Sequence, residues 1–187
     1  NHGDITIDSA TSYAYWGGVF GSVYNKTMTI TSCENHGDVT FGENASCASR
    51  NYIGGVIGTS QSQGAVYSKL KNTGTIANYG KNEKTRFFMG GIIGCGSWFV
   101  TITGTEADPT INTGDIVVKR ENGKVVSRNR YGNKVIYAGG IAGIMREYTN
   151  AAYAVGNKDG NPAYPPYQPE DQCCRIEYAI NEGAVGA

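Results

Sequence analysis

The chain has 187 residues, and its sixteen Lys and Arg are matched by sixteen Asp and Glu, which gives no electrostatic case for nucleic acid or for an anionic membrane surface. No apolar run approaches the roughly 18–20 residues that a membrane helix requires. Glycine, at 27 residues, is about twice its usual share of about 7%; Leu70 is the single leucine among abundant Ile and Val, so the chain reads as nearly all β.

Two motifs alternate along the chain. The first, Asn1-His2-Gly3-Asp4-Ile5, is a turn by chemistry, since Asn tolerates left-handed dihedrals and bonds its own backbone while Gly accepts positive φ. After it, Ile5 and Ile7 alternate with polar neighbours at the period of a half-buried strand. The second, Tyr15-Trp16-Gly17-Gly18-Val19-Phe20-Gly21, lies in a strand expected over 13–23. Lacking Cβ, its glycines let a backbone or an aromatic ring of an adjacent rung come close. Thr27, Thr29 and Thr31 then alternate into the next turn, Asn35-His36-Gly37-Asp38-Val39. The series continues through Tyr52-Ile53-Gly54-Gly55-Val56-Ile57-Gly58, Asn72-Thr73-Gly74-Thr75-Ile76 and Phe88-Met89-Gly90-Gly91-Ile92-Ile93-Gly94. It closes with Asn112-Thr113-Gly114-Asp115-Ile116, Tyr137-Ala138-Gly139-Gly140-Ile141-Ala142-Gly143 and Asn181-Glu182-Gly183-Ala184-Val185.

Repeat units therefore run near 1–34, 35–71, 72–111 and 112–180, with another starting at 181. A fixed period of about 36 residues is the mark of a solenoid. Each unit splits into two nearly equal halves, and each half is expected to form one turn. The prediction is a single parallel β-solenoid domain over 1–187 with about ten rungs, roughly 50 Å long at about 4.8 Å per rung. Stacked at one position of successive rungs, the Asn side chains can bond along the axis as a ladder. The fourth unit carries two insertions, 119–133, basic and rich in turn residues, and 157–172, which holds four of the five prolines. Insertions of this kind leave a solenoid as loops and are where binding happens.

Candidate chemistry is sparse. His2 and His36 occupy the same variable turn position, and there is no His-Glu-x-x-His. Cys33, Cys47, Cys95, Cys173 and Cys174 show no C-x-x-C spacing, so no zinc site is expected. Cys33 and Cys95 read either as small buried hydrophobes or as partners of the adjacent pair Cys173-Cys174 in a disulfide. Asp4, Asp38 and Asp115 line up as an acidic column, with calcium as a minor alternative to solvated charge. Carboxylates for a carbohydrate-active site would come from Glu106 with Asp108, or from Asp159, Glu170 and Asp171. Tyr148, Tyr153, Tyr164 and Tyr167 cluster around the larger insertion and offer flat amphipathic surfaces to sugar rings or protein partners.

The Gly-Gly-(Ile/Val)-x-Gly element alternating with Asn-x-Gly-x-(Ile/Val) resembles the GLUG-type repeats of large bacterial surface proteins, including adhesins and the non-catalytic region of immunoglobulin A metalloproteases. The resemblance spans essentially the whole chain and departs most in the fourth unit. It implies a right-handed β-solenoid exported to the cell surface, without a cofactor, that serves a structural or adhesive role. Asp8-Ser9-Ala10 also resembles the Asp-(Ser/Thr)-small acceptor used for O-glycosylation of exported proteins in some Gram-negative gut anaerobes, which makes Ser9 a candidate glycosylation site. Expected partners are neighbouring repeats or copies end to end, and a glycan or host surface protein. Because both ends fall within the repeat, the chain is expected to be an excerpt of a longer protein. The alternative function is a polysaccharide lyase or glycosidase-like β-helix.

Overall fold

The computed structural model describes residues 1–8, 14–24, 27–45, 50–80, 86–118, 120–121, 124–125, 136–146 and 174–186. Among them every regular element is a β-strand. The first coil sets the plan, with β1 (Ile5–Ile7), β2 (Ala14–Gly17), β3 (Phe20–Val23), β4 (Thr29–Thr31) and β5 (Glu34–Asn35) following one another around a circuit. The second coil is β6 (Val39–Phe41), β7 (Arg50–Gly54), β8 (Ile57–Ser60), β9 (Val66–Ser68) and β10 (Lys71–Asn72). The third is β11 (Ile76–Asn78), β12 (Arg86–Gly90), β13 (Ile93–Ser97), β14 (Thr101–Thr103) and β15 (Thr110–Asn112). In the fourth, β16 (Ile116–Val118) is followed by a short antiparallel pair, β17 (Arg120–Glu121) and β18 (Lys124–Val125), and then by β19 (Ile136–Gly139), β20 (Ala142–Arg146), β21 (Arg175–Ile176) and β22 (Ala179–Asn181).

Apart from β17 and β18, each strand pairs in parallel with its equivalent in the neighbouring coil, giving five sheets of four strands. The parallel β-solenoid expected from the repeats is thus the fold, but its coils are counted differently. Asn35 lies beside Asn72, Asn72 beside Asn112 and Asn112 beside Asn181. One whole repeat, rather than half of one, makes each circuit. The described stack has four coils and the start of a fifth, where Val185 bridges Ile116, so it is about 20 Å tall instead of roughly 50 Å. The physical reason is that the halves carry different chemistry: an Asn turn finds its hydrogen-bond complement only in another Asn turn.

The Gly-pair segment is also two strands, not one. The chain bends at Gly18-Val19 between β2 and β3, and at the matching residues of the later coils. This corner points inward. A Cβ on Gly18 would overlap both the Asn35 side chain and the Gly55 carbonyl, so the glycine corner and the asparagine corner touch across the interior. The contact pinches the cross-section into two lobes. One, between the first and second sheets, holds Ile7, Val39, Phe41, Ile53, Phe87 and Met89; the other, bounded by the third, fourth and fifth sheets, holds Val56, Ile57, Tyr67, Leu70, Ile93 and Ile102.

Left-handed residues supply several of the other turns among the described residues. Thr27, Gly64 and Trp98-Phe99 carry the chain from the third sheet into the fourth, and Ser32, Lys69 and Tyr178 carry it from the fourth into the fifth. The Asn-x-Gly motif uses no positive φ in any coil, contrary to its reading as a left-handed turn. Its glycine is required instead by stacking, since a Cβ on Gly37, Gly74, Gly114 or Gly183 would overlap the carbonyl of the equivalent glycine in the coil before, Gly3 in the first instance.

Candidate functional site

The repeated polar side chains form a continuous internal ladder. Asn1 Nδ2 donates to Asn35 Oδ1 at 2.8 Å, Asn35 to Asn72 at 2.8 Å, Asn72 to Asn112 at 2.7 Å and Asn112 to Asn181 at 2.8 Å, across sequence separations of 34, 37, 40 and 69 residues. The second amide proton of each goes to the carbonyl two residues on, as in Asn35 to Gly37 at 2.7 Å and Asn72 to Gly74 at 2.7 Å. Asn35, Asn72 and Asn112 are fully buried, and a buried amide is tolerated only when bonded in this way. Gly18, Gly55, Gly91 and Gly140 make room for the ladder, because a Cβ on any of them would overlap the Asn of its own coil. The other two glycines of the motif serve the corner. A Cβ on Gly54 or Gly90 would strike the Ile57 or Ile93 carbonyl, and one on Gly58, Gly94 or Gly143 would strike the backbone of the second sheet. Gly17 and Gly139 repeat the first of these contacts against the Phe20 and Ala142 carbonyls, and Gly21 meets the Tyr15 carbonyl.

The acidic column has a structural partner as well. Asp4 Oδ1 accepts the Asp38 amide at 2.9 Å, Asp38 Oδ1 the Thr75 amide at 2.7 Å, and Asp115 Oδ1 the Ala184 amide at 2.9 Å. Each carboxylate thereby caps the strand start of the following coil. Among the described residues no three His, Cys, Asp or Glu side chains are grouped as metal ligands. The two histidines stack, ring on ring, with centroids 4.6 Å apart. His36 continues the column through Nδ1 to Thr73 Oγ1 at 3.0 Å and reaches Glu34 through Nε2 at 2.9 Å.

An aromatic column runs along the outside of the second sheet. Tyr15, Tyr52, Phe88 and Tyr137 stack at centroid distances of 5.6, 4.9 and 5.0 Å. They lie on the opposite face of their strands from Ile53 and Met89 and pack with Cys95 and Ile144 of the third sheet. Tyr52 and Phe88 are buried by this packing, while Tyr137 is 41% exposed at the end of the column. The recurring aromatic before each Gly pair was legible in the sequence, whereas its stacking along the axis was not read from it.

The remaining candidates are dispersed. Asp108, in the exposed 104–109 connection, pairs with Lys69 at 3.1 Å, and Glu106 stands beside it in sequence without converging on another carboxylate among the described residues. Cys33, Cys95 and Cys174 carry thiols. Cys33 belongs to the first coil and Cys174 to the fourth, about 14 Å apart along the axis at about 4.8 Å per coil, beyond the Cα separation of about 4.4–6.8 Å that a disulfide spans, and Cys95 in the third coil is not bridged either, so of the two readings the disulfide to Cys174 is not the one formed. Ser9, Cys47, Cys173, Asp159, Glu170, Asp171, Tyr148, Tyr153, Tyr164 and Tyr167 lie outside the described residues. Of the two insertions only β17 and β18 are described; one insertion separates β16 from β19 and the other separates β20 from β21, so both interrupt the fourth coil. No family model matches the chain, and no curated protein or solved structure matches it either.

Proposed function

We propose that this chain is a non-catalytic structural and adhesive segment of an exported, cell-surface bacterial protein, built from GLUG-type repeats. One observation carries the reading: the polar residues that recur from coil to coil are spent on stacking the coils. The asparagines bond one another and their own turns, the aspartates cap backbone amides, and His36 bonds Thr73 and Glu34. What varies between coils is the connecting material, and it is concentrated at 119–133 and 157–172. These loops, together with Tyr148, Tyr153, Tyr164 and Tyr167 in and around the larger one, are the proposed contact surface for a glycan or a host surface protein.

A glycan array probed with the purified chain, and with a variant lacking 157–172, tests the proposal. Retention on defined glycans that disappears with the deletion is the expected result. Turnover of a polysaccharide that is lost in Asp159→Asn or Glu170→Gln would move the chain into the enzyme class and overturn it.

A further inference from the structure

At the corner between the third and fourth sheets of the third coil, two consecutive bulky residues hold the left-handed conformation, Trp98 at φ 68° and Phe99 at φ 66°. That region costs free energy for any side chain with a Cβ, and is a genuine outlier for a large one. The second coil turns the same corner with Gly64, also at φ 68°, whose backbone N–H donates to the Trp98 carbonyl at 2.9 Å. Glycine thus serves this turn without strain, and the aromatic pair needs another reason. Core packing does not supply it. Both rings are half-buried, and among the described residues neither belongs to, or packs against, the apolar clusters of the two lobes and of the aromatic column. Residues strained in this way concentrate at ligand-binding and active sites.

The surroundings indicate what the pair meets. Charged residues make up 17% of the chain, yet segments 51–68 and 87–105, which carry the second, third and fourth sheets of the second and third coils, contain no Asp, Glu, Lys or Arg, and neither does 27–33 in the first coil. The polar groups beside the rings are an amide and hydroxyls. Gln63, next to Gly64, is exposed, and Thr101 lies on the outer face of the fourth sheet, opposite in direction to the buried Ile102. A Cβ on Gly64 would meet nothing within 4 Å, so the corner is open on that side.

We propose that Trp98 and Phe99 form an aromatic platform for a neutral glycan, with one pyranose ring stacked on the Trp98 indole and its hydroxyl groups bonded by Gln63 and Thr101. Flat, rigid, amphipathic rings suit the apolar face of a sugar, and a surface without charge favours a neutral sugar over an anionic one. The platform presupposes that the chain binds glycans, and it supplies the rigid part of that surface. In the fourth coil the same connection is the one that carries the larger insertion, since Arg146 pairs with Ser97 and Arg175 with Thr101. Trp98 and Phe99 therefore stand one coil from the root of that insertion.

The test uses the full chain and soluble neutral oligosaccharides of glucose, galactose, mannose and N-acetylglucosamine. Binding is read by titration calorimetry, and by acrylamide quenching of Trp98 in a Trp16→Phe background, Trp16 being the other tryptophan of the chain. At least one of these sugars is expected to bind and to shield Trp98 from the quencher. Trp98→Ala should weaken that binding about ten-fold or more, and Trp98→Tyr, which restores a ring, should recover most of it. Trp98→Gly relieves the left-handed strain, so it should lose binding with a melting temperature no lower than that of the unaltered chain. A lower melting temperature with unchanged affinity is the signature of a structural residue and overturns the proposal. Binding that is lost on deleting 157–172 but unchanged in Trp98→Ala and Trp98→Gly overturns the platform and leaves the glycan-binding reading standing. Failure of the unaltered chain to bind any of these sugars overturns the platform whatever a wider glycan array retains.

Discussion

Asn72 sits at the middle of the ladder, and its removal measures what the ladder contributes. It donates to the Gly74 carbonyl and to Asn112 Oδ1, both at 2.7 Å, accepts from Asn35 at 2.8 Å, and has no solvent exposure. Asn72→Ala strands three buried groups, namely the Gly74 carbonyl, Asn112 Oδ1 and one Asn35 proton. At about 1–3 kcal/mol for each orphaned group, simple addition gives about 3–9 kcal/mol. The three orphans face one small cavity, where an admitted water can satisfy two of them, so the expected loss is about 3–5 kcal/mol. That is a large part of a domain stability of about 5–15 kcal/mol. The internal reference is Asn181→Ala, at the exposed end of the same ladder, expected to cost less than about 1 kcal/mol because water replaces its bonds. Urea unfolding followed by tryptophan fluorescence compares the two. Equal losses would refute the assignment of stability to the buried ladder.

Further outcomes follow from the same geometry. Gly55→Ala should abolish soluble folded protein, since its Cβ would overlap the Gly91 carbonyl and the Asn72 side chain; Gly64→Asn, at φ 68° with open space around it, should change stability by less than about 1 kcal/mol. Folded Gly55→Ala with an unchanged circular dichroism melt would contradict the contact between the glycine and asparagine corners. Asn51 is fully buried, with neither Nδ2 nor Oδ1 bonded, so Asn51→Leu should raise stability by about 1–3 kcal/mol; a calorimetric loss of that size would show that the amide is satisfied. Tyr67 is fully buried with its hydroxyl 2.6 Å from Ser60 Oγ, and burial raises its pKa above the ordinary 10.0. Its neutral form therefore stabilises the fold below pH 10, and the contribution is lost as pH climbs through the raised value. Tyr67→Phe should flatten the alkaline limb of a stability–pH profile, and an unaltered limb would sink this assignment.

Much of the architecture could be read from the residues because its chemistry is local. Asn-x-Gly announces a corner, Gly-Gly a close approach, and their regular recurrence a solenoid. The number of coils was not legible for a specific reason: both halves of the repeat are glycine-rich, end in a bend and have nearly equal length. What decides the pitch is complementarity along the axis, Asn35 to Asn72 and Gly37 to Gly74, which spacing alone does not reveal. The role of Gly18 was hidden in another way. Its crowding neighbour, Asn35, comes from the far side of the same coil, so neither local pattern nor stacking order points to it. The acidic column was visible in sequence, but Asp38 Oδ1 meets a backbone amide of the next coil, a partner that every residue except proline supplies and that leaves no signature of its own. Of the tyrosines proposed to contact a ligand, Tyr164 and Tyr167 fall in the 157–172 insertion and Tyr148 and Tyr153 just before it, in sequence that carries neither repeated motif.

One repeat closes one coil, with the asparagines in a single buried column. Side-chain amide NMR tests it most directly. NOEs are expected from the Asn35 Hδ2 protons to Asn72 and from those of Asn72 to Asn112, with slow solvent exchange of all three amides. Rapidly exchanging amides with no Asn-to-Asn cross-peaks would contradict it.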